Sequence, residues 1–480
     1  MKQYELVIGL EVHCQLATRT KLFCGCATDG FGETPNSRIC PVCTAQPGVL
    51  PVLNKKAVEL AFNAALALDC RLSEQSIFAR KNYFYPDLPK AYQISQYDQP
   101  FSQHGKLIIS VKGQAPRSIG ITRIHMEEDA GKLVHDQGAG SLVDFNRAGT
   151  PLIEIVSEPE MRSSDEAYAY LSALKEVIQF IGSSRCDMEK GEMRCDANVS
   201  VRPVGQAAFG TRAEIKNLNS FKNVKDAIDY EFRRQVEVVE SGGKIVQETR
   251  LWNLEKQATF SMRSKEDAHD YRYFPDPDLV PLTAGAERVA ALRAALPELP
   301  AAKRARFTAD LGLSAYDAEV LTGDRALADF FEAAAAAAPK GSVKTVANIV
   351  SSELLARLNA ESKTAAEASL PPAHVGRLAG LVADGTLSSK GVKDVFSRMW
   401  ETGKEPGALV AELGLSQVSD DAQLRDWVKQ AVAANPKAAA DVKGGKQAAV
   451  GALVGAVMKL SKGKANPGLV NKLIDEAVRA

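Results

Sequence analysis

The chain has 480 residues, 45% of them apolar and 25% charged, which is too long for one compact core and apolar enough to fill two to four. Its 59 basic and 59 acidic residues cancel, which excludes an overall polycation and confines any nucleic-acid surface to a local patch. The opening Met1-Lys2-Gln3-Tyr4-Glu5 has no basic stretch followed by an apolar one, and no window reaches the roughly 18 apolar residues of a membrane span, so a soluble, cytoplasmic protein without membrane association is expected.

In chain order, Leu6-Val7-Ile8-Gly9-Leu10-Glu11-Val12-His13 reads as a buried strand whose period of two puts Glu11 and His13 on one face. A carboxylate beside an imidazole suits a divalent cation, although a satisfied core pair would carry the same residues. Cys24-Gly25-Cys26 follows, and thirteen residues later Cys40-Pro41-Val42-Cys43. Two chelating pairs on turns supply the four thiolates of a tetrahedral structural zinc site, which braces a loop and leaves no position open for chemistry. Four unligated thiols are the bland alternative. Cys70, Cys186 and Cys195 read as buried small residues.

Residues 55–68 form the first predicted helix. The loop Arg80-Lys81-Asn82-Tyr83-Phe84-Tyr85-Pro86-Asp87 and its later counterpart Asp270-Tyr271-Arg272-Tyr273-Phe274-Pro275-Asp276 combine rings with cations. A nucleotide base could stack there, although such loops commonly pack as core. Leu107 to Val111 alternates as a half-buried strand, and Ile119 to Ile124 leads a strand into His125-Met126-Glu127-Glu128-Asp129-Ala130-Gly131-Lys132. On an exposed helix those acids would be a solvated face; at a strand end they alternate, so at most two reach one ion. A helix over 165–180 starts after Ser163, and Ala197 to Val201 is another alternating strand. Glu214 then sits between Arg212 and Lys216 on one strand face, before a helix over 221–241 that stops at Gly242-Gly243. A carboxylate for metal flanked by cations for phosphate is the equipment of phosphoryl transfer.

Past Pro281-Leu282 the composition turns Ala-rich and helical, as in 287–296 and 325–338, the last stopped by Pro339. Gly403-Lys404-Glu405-Pro406-Gly407 separates a tail in which basic residues exceed acidic ones. Its Lys443, Lys446, Lys459, Lys462 and Lys464 flank Gly444-Gly445 and Gly463, where flexible backbone can approach a phosphate chain; a solubilising helical cap is the alternative. The expected fold class is α+β: an antiparallel-sheet-based, cradle-like catalytic domain over 1–290, an all-α helical domain over 291–405 and a basic helical tail over 406–480. No phosphate-loop or dinucleotide fingerprint occurs, which leaves any nucleotide site outside those two classes. Neither a nucleophilic N-terminal cysteine nor an amidase-type Gly/Ser-rich setting around Gly182-Ser183-Ser184-Arg185 is present, so ammonia for any amide-forming reaction must come from another chain.

Taken together, Gly9 to His13, Arg80 to Gln99, Ile119 to Lys132, Ser141 to Glu158, Met193 to Val201, Ala213 to Phe221 and Asp270 to Leu282 resemble one family, the B subunits of the aspartyl/glutamyl-tRNA amidotransferase. Asn466-Pro467-Gly468-Leu469-Val470-Asn471-Lys472 looks like that family's C-terminal helical domain, while residues 290–400 match loosely. The resemblance implies a ligase that uses ATP to phosphorylate the side-chain carboxyl of misacylated Asp-tRNA(Asn) or Glu-tRNA(Gln). Ammonia then displaces the phosphate. It also implies a heterotrimer, in which an amidase-type glutaminase subunit supplies ammonia and a small third subunit clamps the pair. Carried over by motif, Glu11, His13, Glu128 and Glu214 are magnesium and catalytic positions, and Glu127 and Asp129 are supporting acids. Arg80, Lys81, Tyr83, Arg212 and Lys216 are candidates for phosphate or substrate, and the tail lysines for tRNA. The zinc expectation rests on the four cysteines themselves. Two other classes fit parts of the sequence: a non-catalytic, zinc-braced RNA-binding subunit, and a small-molecule carboxylate-amine ligase.

Overall fold

The computed structural model describes residues 3–134, 140–264, 271–418, 420–444, 446, 448–461 and 463–479; Asp270, Gly445 and Lys462 lie outside the described residues. The chain divides into two compact units, Met1–Leu299 and Pro300–Ala480. The first is α+β and the second helical.

A sheet of nine strands among the described residues frames the first unit. From one edge to the other these are Ala258–Ser264, Glu248–Asn253, Ala213–Leu218, Met193–Pro203, Tyr4–Gln15, Pro151–Ser157, Arg117–Glu128, Ser102–Ile109 and Arg71–Leu72. The expected antiparallel pairing holds throughout except between Ala213–Leu218 and Glu248–Asn253, which run parallel. A parallel neighbour needs a long crossover, and the helix Phe221–Glu240 is that crossover. The strand Tyr4–Gln15 lies at the centre and pairs on both sides, Glu11 standing opposite Val156 and Asp196, and His13 opposite Glu154 and Arg194.

Strand alternation divides this sheet chemically. Ile8, Leu10, Val12 and Cys14 point into an apolar core shared with the helices Lys55–Ala67, Ser164–Phe180 and Phe221–Glu240. Each helix begins with a side-chain cap, from Asn54, Ser163 and Ser220 in turn, that accepts a backbone N–H otherwise left without a partner. The opposite face carries Glu11 and His13. Leu292, Leu296 and Leu299 also pack on this core, so the first unit continues through the helix Ala286–Ala295.

The second unit holds two apolar clusters, one from Phe307 to Val410 and one from Leu424 to Val478. The six-alanine run 333–338, at the end of the predicted segment 325–338, closes the helix Arg325–Ala336. Its smallness lets the helix Pro372–Ala383 come very close: a Cβ on Gly376 would stand 2.3 Å from the carbonyl oxygen of Ala334 and 3.0 Å from the Ala337 carbonyl carbon. Neither backbone can yield without moving a helix. Gly376→Ala is therefore expected to destabilise the second unit by about 1–3 kcal/mol, read as a lower thermal midpoint; an unchanged midpoint would refute the close approach.

Candidate functional site

The polar face of the sheet gathers two clusters of potential metal ligands. In the first, His13 Nε2 lies 3.6 Å from Glu127 Oε1 and 3.4 Å from Glu154 Oε2, while His125 Nε2 approaches Glu154 Oε2 at 3.3 Å. Three strands supply it, because His13 and His125 both stand opposite Glu154 in register. Burial opposes a charge on His13, yet the hydrogen bond to Glu154 and the fields of Glu154, Glu127 and Asp196 raise its pKa to about 9. Glu154 is held well below the usual carboxylate range against burial, first by His125 and then by His13.

In the second cluster, Glu11, Asp196 and Glu214 bring one carboxylate oxygen each within 4.8 Å of one another. Asn198, which stands opposite both Gly9 and Glu214, donates from Nδ2 to Glu11 Oε1 at 2.9 Å. Thr249 Oγ1 donates to Glu214 Oε2 at 2.8 Å. Lys216 is hydrogen-bonded to Asp196 and lies 3.5 Å from Glu214 Oε1. It is held charged despite burial by Asp196 and Glu214, which raise its pKa. Both clusters offer hard oxygen donors, one with a histidine, of the kind that binds divalent cations.

The sequence candidates are therefore divided between clusters. Glu11 and Glu214 meet, His13 belongs to the neighbouring group, and Glu128 joins neither. Period-two alternation explains this: Glu127 falls on the polar face beside His13, which turns Glu128 to the other side. There Glu128, only 3% exposed, accepts from Lys90 Nζ at 2.6 Å and from the Ile94 N–H at 3.0 Å. Asp129 also leaves the group, accepting from Arg194 and from Gln15, each at 2.9 Å. Glu154, Asp196 and Asn198 were absent from the candidates. Glu154 is the one charged residue of the apolar strand Pro151–Ser157, and Asp196 and Asn198 fall on the alternating polar positions of Met193–Pro203; that was the available signal.

The four cysteines converge. The Sγ atoms of Cys24, Cys26, Cys40 and Cys43 all lie within 4.8 Å of one another, and those of Cys40 and Cys43 are 4.0 Å apart. A tetrahedron of Zn–S bonds requires sulfurs about 3.8 Å apart, so the donor set fits a thiolate-bound metal. The Cys43 thiol is drawn down to about 4, first by its hydrogen bond with Cys24 and then, against burial, by the Cys40 N–H and Lys21. Fully buried Lys21, which was not a sequence candidate, points Nζ at Cys43 Sγ from 3.5 Å. A cavity of about 240 Å³ has Cys24, Cys43, Lys21, Lys90 and Glu128 in its wall.

The two aromatic loops interlock. Tyr97 stacks on Tyr273 with ring centres 4.2 Å apart, Tyr271 meets Tyr83 edge-on at 6.0 Å, and the Lys81 ammonium lies 4.8 Å from the Tyr271 ring centre. Lys81 is kept charged against burial chiefly by Glu127, which ties this corner to the histidine cluster. Arg80 is committed to Asp276 and Asp278, at 2.9 and 3.0 Å, and lies over Tyr92. It braces the loop and has little left for a phosphate. Arg212 precedes its strand, exposed and without an ion pair among the described residues.

In the second unit Lys443, Lys446, Lys459 and Lys464 are exposed. Lys446 pairs with Asp441 at 2.9 Å, and the other three form no ion pair among the described residues. No described helix is long and apolar enough to cross a membrane.

A sheet presenting carboxylates, imidazole and cations on one face carries the donors of a divalent-cation site, and comparison with known proteins gives the class of catalytic subunit to which it belongs. Residues 6–290 match the family described as "GatB/GatE catalytic domain" and residues 329–478 the one described as "GatB domain". The chain is 55% identical to the B subunit of the aspartyl/glutamyl-tRNA(Asn/Gln) amidotransferase of Brevibacillus brevis, with 100% of each chain covered. It is 56% identical to the protein of the same name from Geobacter sulfurreducens, with 98% of each covered, and 55% identical to that of Carboxydothermus hydrogenoformans, covering 99% of this chain and 98% of the relative. The chain belongs to the family of aspartyl/glutamyl-tRNA(Asn/Gln) amidotransferase B subunits, and it is an enzyme component of the ligase class. Cys40→Ser is expected to lower the bound transition metal per chain, measured by elemental analysis, and to lower the thermal midpoint of the first unit. Equal metal content in the two proteins would rule out the cysteine site.

Proposed function

We propose that this chain is the synthetic subunit of a tRNA-dependent amidotransferase, activating with ATP the side-chain carboxyl of aspartate or glutamate carried on tRNA(Asn) or tRNA(Gln). The observation that carries this reading is the pair of clusters on one sheet face, Glu11–Asp196–Glu214 and His13–Glu127–Glu154. Phosphorylation converts hydroxide, a poor leaving group, into phosphate, and the transferred phosphoryl group needs neutralisation from several sides. Magnesium bound by either donor set would supply charge neutralisation to ATP oxygens. The chain's own residues do the rest. Asn198 and Thr249 fix the orientation of Glu11 and Glu214, and Lys216 holds Asp196 and Glu214 together through a shared positive charge. Arg212, exposed at the rim, is available to phosphate. His13 and His125 flank Glu154 in the neighbouring group.

Ammonia comes from an amidase-type partner subunit that hydrolyses glutamine, with a small third subunit completing a heterotrimer; the sequence of this chain carries no amidase-type setting of its own. Zinc held by the four cysteines has a structural role. The exposed lysines of the tail grip the tRNA body, consistent with the family match over residues 329–478. Domain limits near 299 and between Val410 and Leu424 follow the same division of labour.

Two measurements test this. In the reconstituted complex, Glu11→Ala and Glu214→Ala should lower amidation of misacylated tRNA by at least about a hundred-fold while the partner's glutaminase activity persists. Normal yields of amidated tRNA would refute the assignment. Replacing Lys443, Lys459 and Lys464 singly with Gln should weaken tRNA binding and reduce the slope of log affinity against log salt by about one for each phosphate no longer neutralised. An unchanged slope in all three would remove the tail from the tRNA surface.

A further inference from the structure

Lys21 is fully buried, and a lysine in that state is almost always paired with an anion, because stripping water from an ammonium is costly. Among the described residues no carboxylate forms an ion pair with it; its partners lie elsewhere. Glu128 and Asp278, the acids in the wall of the cavity it shares, are committed to Lys90 and Arg80. The Lys21 ammonium instead lies 3.5 Å from Cys43 Sγ and 3.3 Å from the Phe145 carbonyl oxygen. A carbonyl offers a dipole and no net charge, which leaves the sulfur as the balancing anion.

The backbone of the same residue reaches the other half of the cysteine quartet. Its N–H donates to the Cys26 carbonyl at 2.9 Å, and Thr20 and Ala27 form an antiparallel bridge beside it, so the turn carrying Cys24 and Cys26 is closed on Lys21. Its carbonyl accepts from Asn54 Nδ2 at 3.2 Å, the side chain that also caps the helix Lys55–Ala67. Lys21 therefore holds the first cysteine pair through its main chain and meets the second through its side chain. The chain at Gly149 covers the contact: a Cβ there would stand 3.6 Å from Lys21 Cδ and 3.7 Å from Cys43 Cβ, and the Gly149 carbonyl accepts from the Leu22 N–H at 2.8 Å.

Four thiolates around one divalent cation leave an excess of two negative charges, and Cys43 is the buried member of the quartet, where that excess is hardest to solvate. Cys43 Sγ already accepts the Cys40 N–H at 3.2 Å, and Lys21 adds a full positive charge to that dipole. We infer, on the zinc reading proposed above, that Lys21 is a positioning residue for the cysteine-bound metal: its ammonium donates to the Cys43 thiolate and offsets part of the excess charge, while its main chain fixes the Cys24–Cys26 turn. The site uses the charge of this side chain rather than its bulk. A group that touches a ligand atom without touching the ion sets affinity in this way.

Two readouts on the full chain test this: zinc affinity, by competition with a chromogenic chelator, and the thiolate-to-metal absorption band of the cobalt-loaded protein, which reports electron density on sulfur. Lys21→Met and Lys21→Gln, which remove the charge, should each weaken zinc binding about ten- to a hundred-fold. Both should also move the cobalt band to lower energy, because a sulfur relieved of the ammonium gives charge to the metal more readily. Lys21→Arg, for whose larger head the adjoining cavity of about 240 Å³ has room, should restore most of both. If folded Lys21→Met keeps the wild-type affinity and band, Lys21 only fills space and the inference is overturned, while the cysteine site stands. If the wild type binds neither zinc nor cobalt through thiolates, the zinc reading falls as well. Should both neutral variants fail to fold, acetylation of the wild type followed by mass spectrometry decides: Lys21 should be protected with zinc bound and modified once a chelator has removed it, and equal labelling in the two states overturns the inference.

Discussion

The structure depends on the strict alternation of one central strand. Tyr4–Gln15 is paired with Met193–Pro203 from Tyr4 to Cys14 and with Pro151–Ser157 from Glu11 to Gln15, so neither its position nor its register can shift without breaking two ladders. A slip of one residue would exchange Ile8, Leu10, Val12 and Cys14 for Val7, Gly9, Glu11 and His13, driving a carboxylate and an imidazole into the apolar core. Burial of the core face thereby holds the functional face in place. The same constraint propagates outward: His125 is positioned through Glu154, and Glu214 through Asn198, each by cross-strand pairing rather than by a loop.

Electrostatics then divides that face into parts. Around His13 the charges alternate between imidazole and carboxylate, which sustains Glu154 as an anion despite its burial. Around Glu11 three carboxylates converge, and their repulsion is relieved by Lys216, Asn198 and Thr249. Glu128 shows the opposite arrangement on the reverse side, with an ammonium and a backbone N–H satisfying both of its oxygens. Two adjacent glutamates of identical chemistry have thus been given separate surroundings by the pleat alone.

Much of this was legible in the sequence because it follows from periodicity and caps. The central strand, the helices beginning near Lys55, Ser164 and Phe221, and the cysteine quartet were all visible, since each is a local pattern. The partition of the acidic residues was not. Alternation predicts that Glu127 and Glu128 point apart, but only the register with Pro151–Ser157 says which of them meets His13. Glu154 and Asp196 lie 141 and 183 residues from His13, and no local pattern links positions so distant. The parallel pairing of Ala213–Leu218 with Glu248–Asn253 was likewise hidden, because a strand's composition does not state its direction. Arg80 and Lys81 illustrate the same limit: adjacent cations in one basic loop, one neutralised by Asp276 and Asp278, the other left over tyrosine rings.

That parallel pairing also sets when the carboxylate cluster can form as the chain is made. Glu214 takes its orientation from Thr249, a residue on the far side of the crossover helix Phe221–Glu240. The contributing side chains span Glu11 to Thr249, so a nascent chain released before the strand Glu248–Asn253 has emerged and docked has every acid of the cluster but lacks the bond that orients Glu214. Pairings this distant in sequence form slowly, after local helices and hairpins. Completion of the cluster thus reports that the sheet has closed from the central strand out to Glu248–Asn253, and a chain that ends before Thr249 cannot present it.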